Sequence, residues 1–131
     1  MYAARHRGDV VQLEDTKTRT VVSIVPSVGN NAYSMTVNGQ GVIRWPYASV
    51  EDFKAAPGLS GIPFLAPWAN RLDEPAFYAS GKRYAFDMAL GNVRGANPSH
   101  GFLTACDQWQ VVEMDADGAS AWVTRDRKSV V

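Results

Sequence analysis

Asn38-Gly39 stands between two apolar-rich stretches, residues 32–37 and 41–45, and this dipeptide constrains the fold more than any other feature of the chain. The tightest hairpin turn needs positive φ at both central residues, which asparagine and glycine adopt at least cost, so the flanking stretches are expected to pair as antiparallel strands. The pattern recurs. Ser80-Gly81-Lys82 separates residues 76–79 from 83–87, and the turn at 115–118 separates residues 109–113 from 120–124. Residues 10–13 and 20–25 form a further strand pair around the polar turn 14–17, and 26–31 reads as a loop. No stretch carries the 3.6-residue period of an amphipathic helix. Residues 49–56 are expected to make one short helical turn, stopped by Pro57-Gly58. An antiparallel all-β fold follows.

Length and charge bound the rest. A chain of 131 residues with 46% hydrophobic content can bury a core but is short for two ordinary domains, so one domain or part of one is expected. Thirteen basic and thirteen acidic side chains leave no net charge, and so no footprint for nucleic acid or an anionic membrane surface. A small neutral partner is expected instead. No apolar run reaches the roughly 20 residues that span a bilayer, and residues 1–11 lack the apolar segment of a secretory signal, which points to the cytoplasm. Cys106, the single cysteine, lies in no zinc-ligand spacing and is expected to be a small buried hydrophobe. Arg5-His6-Arg7 is read as a disordered basic cluster.

Chemistry-bearing residues gather around a loop. Pro63 and Pro67 exclude residues 62–70 from a central strand and stiffen them into an extended loop, the kind of segment that carries binding residues. At its end Asn70 precedes Arg71, whose planar guanidinium can hold hydroxyls through parallel hydrogen bonds, or can pair on the surface with Asp73 or Glu74. His100, between Pro98-Ser99 and Gly101, can exchange hydrogen bonds with a hydroxyl or serve structure. Residues 91–95 lack the Gly-Lys-Ser/Thr ending of a phosphate loop and read as a turn, and proline excludes Asn97-Pro98-Ser99 as a glycosylation acceptor.

Four segments in order carry a family resemblance: Gly61-Ile62-Pro63-Phe64-Leu65-Ala66-Pro67-Trp68-Ala69-Asn70-Arg71, the glycine-centred hairpin from Tyr78 to Tyr84, Asn97-Pro98-Ser99-His100-Gly101, and the tryptophan strand at 109–112. Together they resemble the aldose 1-epimerase (galactose mutarotase) family, over roughly residues 13–124. The resemblance implies a galactose mutarotase-like antiparallel β-sandwich, with this chain as its N-terminal part. Arg71 looks like the family's substrate-positioning arginine, Asn70 like the neighbour that fixes its loop, and His100 like the first active-site histidine, a catalytic residue. Phe64 and Trp68 either face a sugar ring or pack in the core. No metal or organic cofactor is implied. Ser99 departs from the family, where a larger apolar residue is frequent.

The implied activity is that of an isomerase interconverting the α and β anomers of hexoses such as galactose or glucose. Opening the hemiacetal needs an acid at the ring oxygen and a base at the anomeric hydroxyl. In the family these are a second histidine and a glutamate from strands downstream of the His-Gly segment, and no carboxylate of this chain matches that motif. The chain alone is therefore expected not to catalyse. Two alternatives stand beside this reading: a noncatalytic carbohydrate-binding β-sandwich, and a hexose-6-phosphate epimerase of the same superfamily. Residues 1–125 follow the family pattern. Residues 126–131 leave it and coincide with the translation of a common sequencing adapter, so they are expected to be an assembly artefact on a protein more than twice as long. Exposed sheet faces are expected to make such a fragment poorly soluble.

Overall fold

Antiparallel strands supply nearly all the regular structure in the computed structural model, which describes residues 1–89 and 93–127. These residues fall into two compact units, one of Met1–Pro63 with Ala105 onward, the other of Phe64–Thr104.

The first unit is built on a five-stranded meander. Its strands β1 (Tyr2–Arg7), β2 (Val10–Asp15), β3 (Thr20–Val25), β4 (Asn31–Val37) and β5 (Gln40–Gly41) pair in sequence order. Register sets the faces. Val11 lies opposite Ile24 and Leu13 opposite Val22, so β-branched and leucine side chains share one face, while Gln12 lies opposite Ser23 and donates to its hydroxyl at 3.2 Å on the other. Asn38 (φ 52°) and Gly39 (φ 80°) make the expected turn between β4 and β5.

Val25, Val28 and Phe53 form the core, with Tyr33, Trp45, Tyr47 and Val50 packed around it. Phe53 comes from α1 (Val50–Ala55), which starts where Ser49 accepts a hydrogen bond from the Asp52 amide at 3.1 Å. Its ring meets Trp45 edge-on at 4.7 Å between centroids, and full burial makes it worth about 3 kcal/mol. Asp9, in the β1–β2 turn, accepts from Lys54 of α1 and from Ser27. Partial burial alone would raise the Asp9 carboxyl, but the bonds from Lys54 and Ser27, with the charges of Lys54 and His6, outweigh it and hold it below its ordinary value. A last pair of strands, β10 (Trp109–Ala116) and β11 (Ala121–Arg127), packs against β1.

The second unit contains two hairpins. Strands β6 (Ala76–Ala79) and β7 (Lys82–Ala85) join through Ser80 and Gly81, both at positive φ, and β8 (Val93–Arg94) pairs with β9 (Asn97–Pro98).

Several expectations need correction. Arg5-His6-Arg7 is ordered strand within β1, because β2 offers it a ladder and Glu14 pairs with Arg5 across it. The partner strand expected at 41–45 ends at Gly41. The Val42 amide still bonds the Met35 carbonyl at 2.9 Å, but Trp45 departs to pack at a tilt against both Tyr33 and Tyr47, and Pro46 has no N–H to continue a ladder. The last hairpin is longer than 109–113 with 120–124, reaching Ala116 and Arg127, so Asp126 and Arg127 lie in a strand. Cys106 is half-buried rather than buried. Of the turn read at 91–95, Gly91 and Asn92 lie outside the described residues, as do 128–131, while Val93 and Arg94 form β8.

Candidate functional site

Two loops of the second unit, 30 residues apart in sequence, zip together through their main chains. The Ala66–Pro67 peptide is cis, and the Ala66 carbonyl accepts from the Phe102 amide at 2.8 Å. Gly101 lies so close to Ala66 that a Cβ there would strike that carbonyl, and its φ of 64° is the left-handed conformation that side chains resist. Trp68, next along the loop, packs on Phe86 (4.6 Å) and edge-on to Phe102 (5.0 Å). Phe77 and Tyr84 extend this aromatic cluster from the β6–β7 hairpin. Trp68 thus takes the packing role. Phe64 is exposed by 44%.

The second contact is a short antiparallel ladder centred on Arg71 and Ser99. The His100 amide donates to the Asn70 carbonyl at 2.9 Å, and the Leu72 amide to the Pro98 carbonyl at 3.0 Å. A third bond closes a ring: the Asn70 amide donates to His100 Nδ1 at 3.0 Å. Asn70 (φ 61°) and His100 (φ 62°) both sit in the left-handed region, where asparagine and histidine are enriched among residues other than glycine. The main chain of Asn70 therefore makes the contact, and its side chain stays exposed. Ser99, the departure from the family pattern, is buried in this narrow pairing, where a small side chain fits.

Arg71 projects from the ladder as an exposed residue. Glu74, one partner the sequence offered it, instead binds Arg83 at 3.3 Å, and among the described residues no ion pair engages Arg71. The ladder leaves Arg71 exposed on one strand and the His100 imidazole half-buried on the other, one position apart in register. Five N–H donors on the arginine and one ring nitrogen on the histidine suit oxygen-rich, uncharged ligands or anions. His6, the other histidine, belongs to β1 in the first unit. Among the described residues no group of three His, Cys, Asp or Glu side chains could hold a metal ion, and no helix is long and apolar enough to cross a membrane.

With this geometry in place, the family model for aldose 1-epimerase matches residues 9–129. The chain belongs to the aldose 1-epimerase family. Solved structures agree on its fold. A galactose mutarotase-like protein from Clostridium acetobutylicum superposes with a TM-score of 0.70 at 25% identity, covering 95% of this chain and 37% of its own. A Synechocystis protein superposes with a TM-score of 0.59 at 28% identity, covering 88% of this chain and 35% of its own. This aldose 1-epimerase family chain thus has the galactose mutarotase-like fold and spans little more than a third of the length of those structures. No curated protein matches it in sequence.

Sequence reasoning singled out Asn70, Arg71 and His100 through the resemblance, but not the bonds that join them. Gly101 was the residue it undervalued. A glycine directly after His100 was the available signal, because close approach of two main chains demands one.

Proposed function

We propose that this chain supplies the sugar-positioning part of an aldose 1-epimerase, holding a hexose such as galactose or glucose while its hemiacetal opens and recloses. The observation that carries the reading is the ladder of residues 70–72 with 98–100, which joins the Asn70-Arg71 and Ser99-His100 segments and leaves Arg71 exposed, without an ion pair among the described residues. Arg71 grips sugar hydroxyls, His100 bonds a substrate oxygen, and Asn70 fixes the loop. Ring opening needs a proton donor and a proton acceptor acting across one sugar, and a glutamate with a second histidine would supply them in the whole enzyme. The partner is a small neutral hexose rather than nucleic acid or membrane, and the compartment is the cytoplasm.

Galactose titration followed by calorimetry or by amide chemical shifts tests this. Galactose is expected to perturb His100 and the amides of residues 70–72, and Arg71→Ala is expected to weaken binding about tenfold while leaving stability within about 0.5 kcal/mol. Equal affinity in the wild type and Arg71→Ala would overturn the assignment of Arg71. Tighter binding of galactose 6-phosphate than of galactose would favour the phosphosugar member of the superfamily.

A further inference from the structure

The bond between the Asn70 amide and His100 Nδ1 decides more than the placement of a ring. A main-chain N–H only donates, so Nδ1, 3.0 Å away, must carry a lone pair and no proton. The neutral ring then bears its proton on Nε2. The opposite tautomer would set Nδ1–H against the amide N–H, and a half-turn of the ring would set Cδ2–H there instead. Either change forfeits the bond to the Asn70 amide. The His100 amide is tied back to the Asn70 carbonyl at 2.9 Å, the Leu72 amide to Pro98 at 3.0 Å, and Gly101 is pressed against Ala66, so the main chains on both sides of the ring are held.

We propose that the Asn70 main-chain N–H is a positioning group that selects the Nε2–H tautomer of His100, so that the imidazole meets its ligand as a hydrogen-bond donor rather than as a base. The donor role rests on the hexose reading above, whereas the tautomer does not. A nitrogen that already carries a proton cannot abstract one, so Nε2 is directed at a lone pair, such as that of a sugar hydroxyl or ring oxygen. Selection by the main chain also explains how Asn70 can matter although the residue is exposed and its contact with His100 is made by its main chain. In that case the asparagine is required for its tolerance of φ 61°.

Long-range proton–nitrogen correlation on histidine-labelled chain at about pH 8.5, where an ordinary imidazole is neutral, reads the tautomer directly. His6 in β1 serves as the internal reference. His100 is expected to be Nε2–H by about ten to one or more, a ratio set by one hydrogen bond, and Asn70→Gly is expected to keep that ratio because it retains the amide and the positive φ. A dominant Nδ1–H form, or a mixture like that of His6, would overturn the proposal. Galactose is then added. Movement of the His100 Nε2–H signal is the expected result, and an unmoved signal would overturn the donor role together with the hexose reading while leaving the tautomer standing. His100→Asn gives a second measurement, since its Oδ1 can replace Nδ1 as acceptor and asparagine tolerates φ 62°. Exchange of the Asn70 amide should stay within about threefold of wild type while galactose affinity falls about tenfold. Loss of amide protection with retained affinity would contradict the assignment.

Discussion

The two units of this chain hold themselves together differently. The first buries large side chains: Val11, Val25 and Phe53 are wholly enclosed, and a continuous five-stranded ladder runs beside them. In the second, the buried residues among those described are small, Ala76, Pro98, Ser99 and Gly101, and its aromatic rings lie in contact but partly open. There the shape depends on close main-chain approach and left-handed residues: Asn70, Ser80, Gly81, His100 and Gly101. Apolar burial stabilises the first unit without dictating fine geometry, whereas close main-chain contacts in the second dictate geometry with little apolar area. The candidate site lies in the unit organised for precision of placement.

The largest effect expected from breaking this contrast is in the first core. Phe53→Ala should cost about 3 to 5 kcal/mol by denaturant unfolding, against roughly half that for the part-exposed Phe86→Ala of the second unit. Equal losses would mean that the aromatic cluster of the second unit is a core of the same kind. Next comes Gly101→Ala, whose new methyl meets the Ala66 carbonyl at a φ that alanine resists, for about 2 to 3 kcal/mol. Hydrogen exchange should show the loss confined to the amides of His100 and Phe102, with β2 to β4 unchanged; faster exchange throughout the meander would show that the two units unfold as one.

The smallest effect is electrostatic. The Asp9 carboxyl is depressed in the folded chain, so its stabilisation is complete above the unfolded value near 3.9 and fades as pH falls through the folded one. Acid should therefore weaken the tie between the β1–β2 turn and α1 by at most about 1 kcal/mol, because Lys54 and Asp9 are 36% and 39% exposed and solvent screens them. Asp9→Asn should flatten the stability profile below about pH 4, as read by thermal melts. An unaltered profile would remove Asp9 from the account.

Much of the fold was legible in the chain. The Asn38-Gly39 turn, the Ser80-Gly81 turn, the short helix ahead of Pro57-Gly58 and the bounds of β3 all rest on local chemistry that acts the same way in any context. Strand β1 was not legible, since nothing in Arg5-His6-Arg7 shows that β2 and Glu14 stand ready to pair with it. Strand β5 was overextended because Trp45 has high strand propensity, yet contact with Tyr33, Tyr47 and Phe53 offers it more burial than an edge strand would. Within the site, residue types were visible and partners were not. Glu74 is near Arg71 in sequence but bonded to Arg83 across the β6–β7 hairpin.

By itself the sequence determined the antiparallel all-β class, the hairpins around Asn38-Gly39, Ser80-Gly81 and residues 115–118, and the family, because turn dihedrals and strand alternation are properties of neighbouring residues. Only the tertiary structure decided that Asn70 and His100 share a ring of hydrogen bonds, that Gly101 must be glycine, and that Arg71 is left without an ion pair among the described residues. Those outcomes depend on contacts between segments some 30 residues apart, whose closure entropy is offset only when many weak interactions form together.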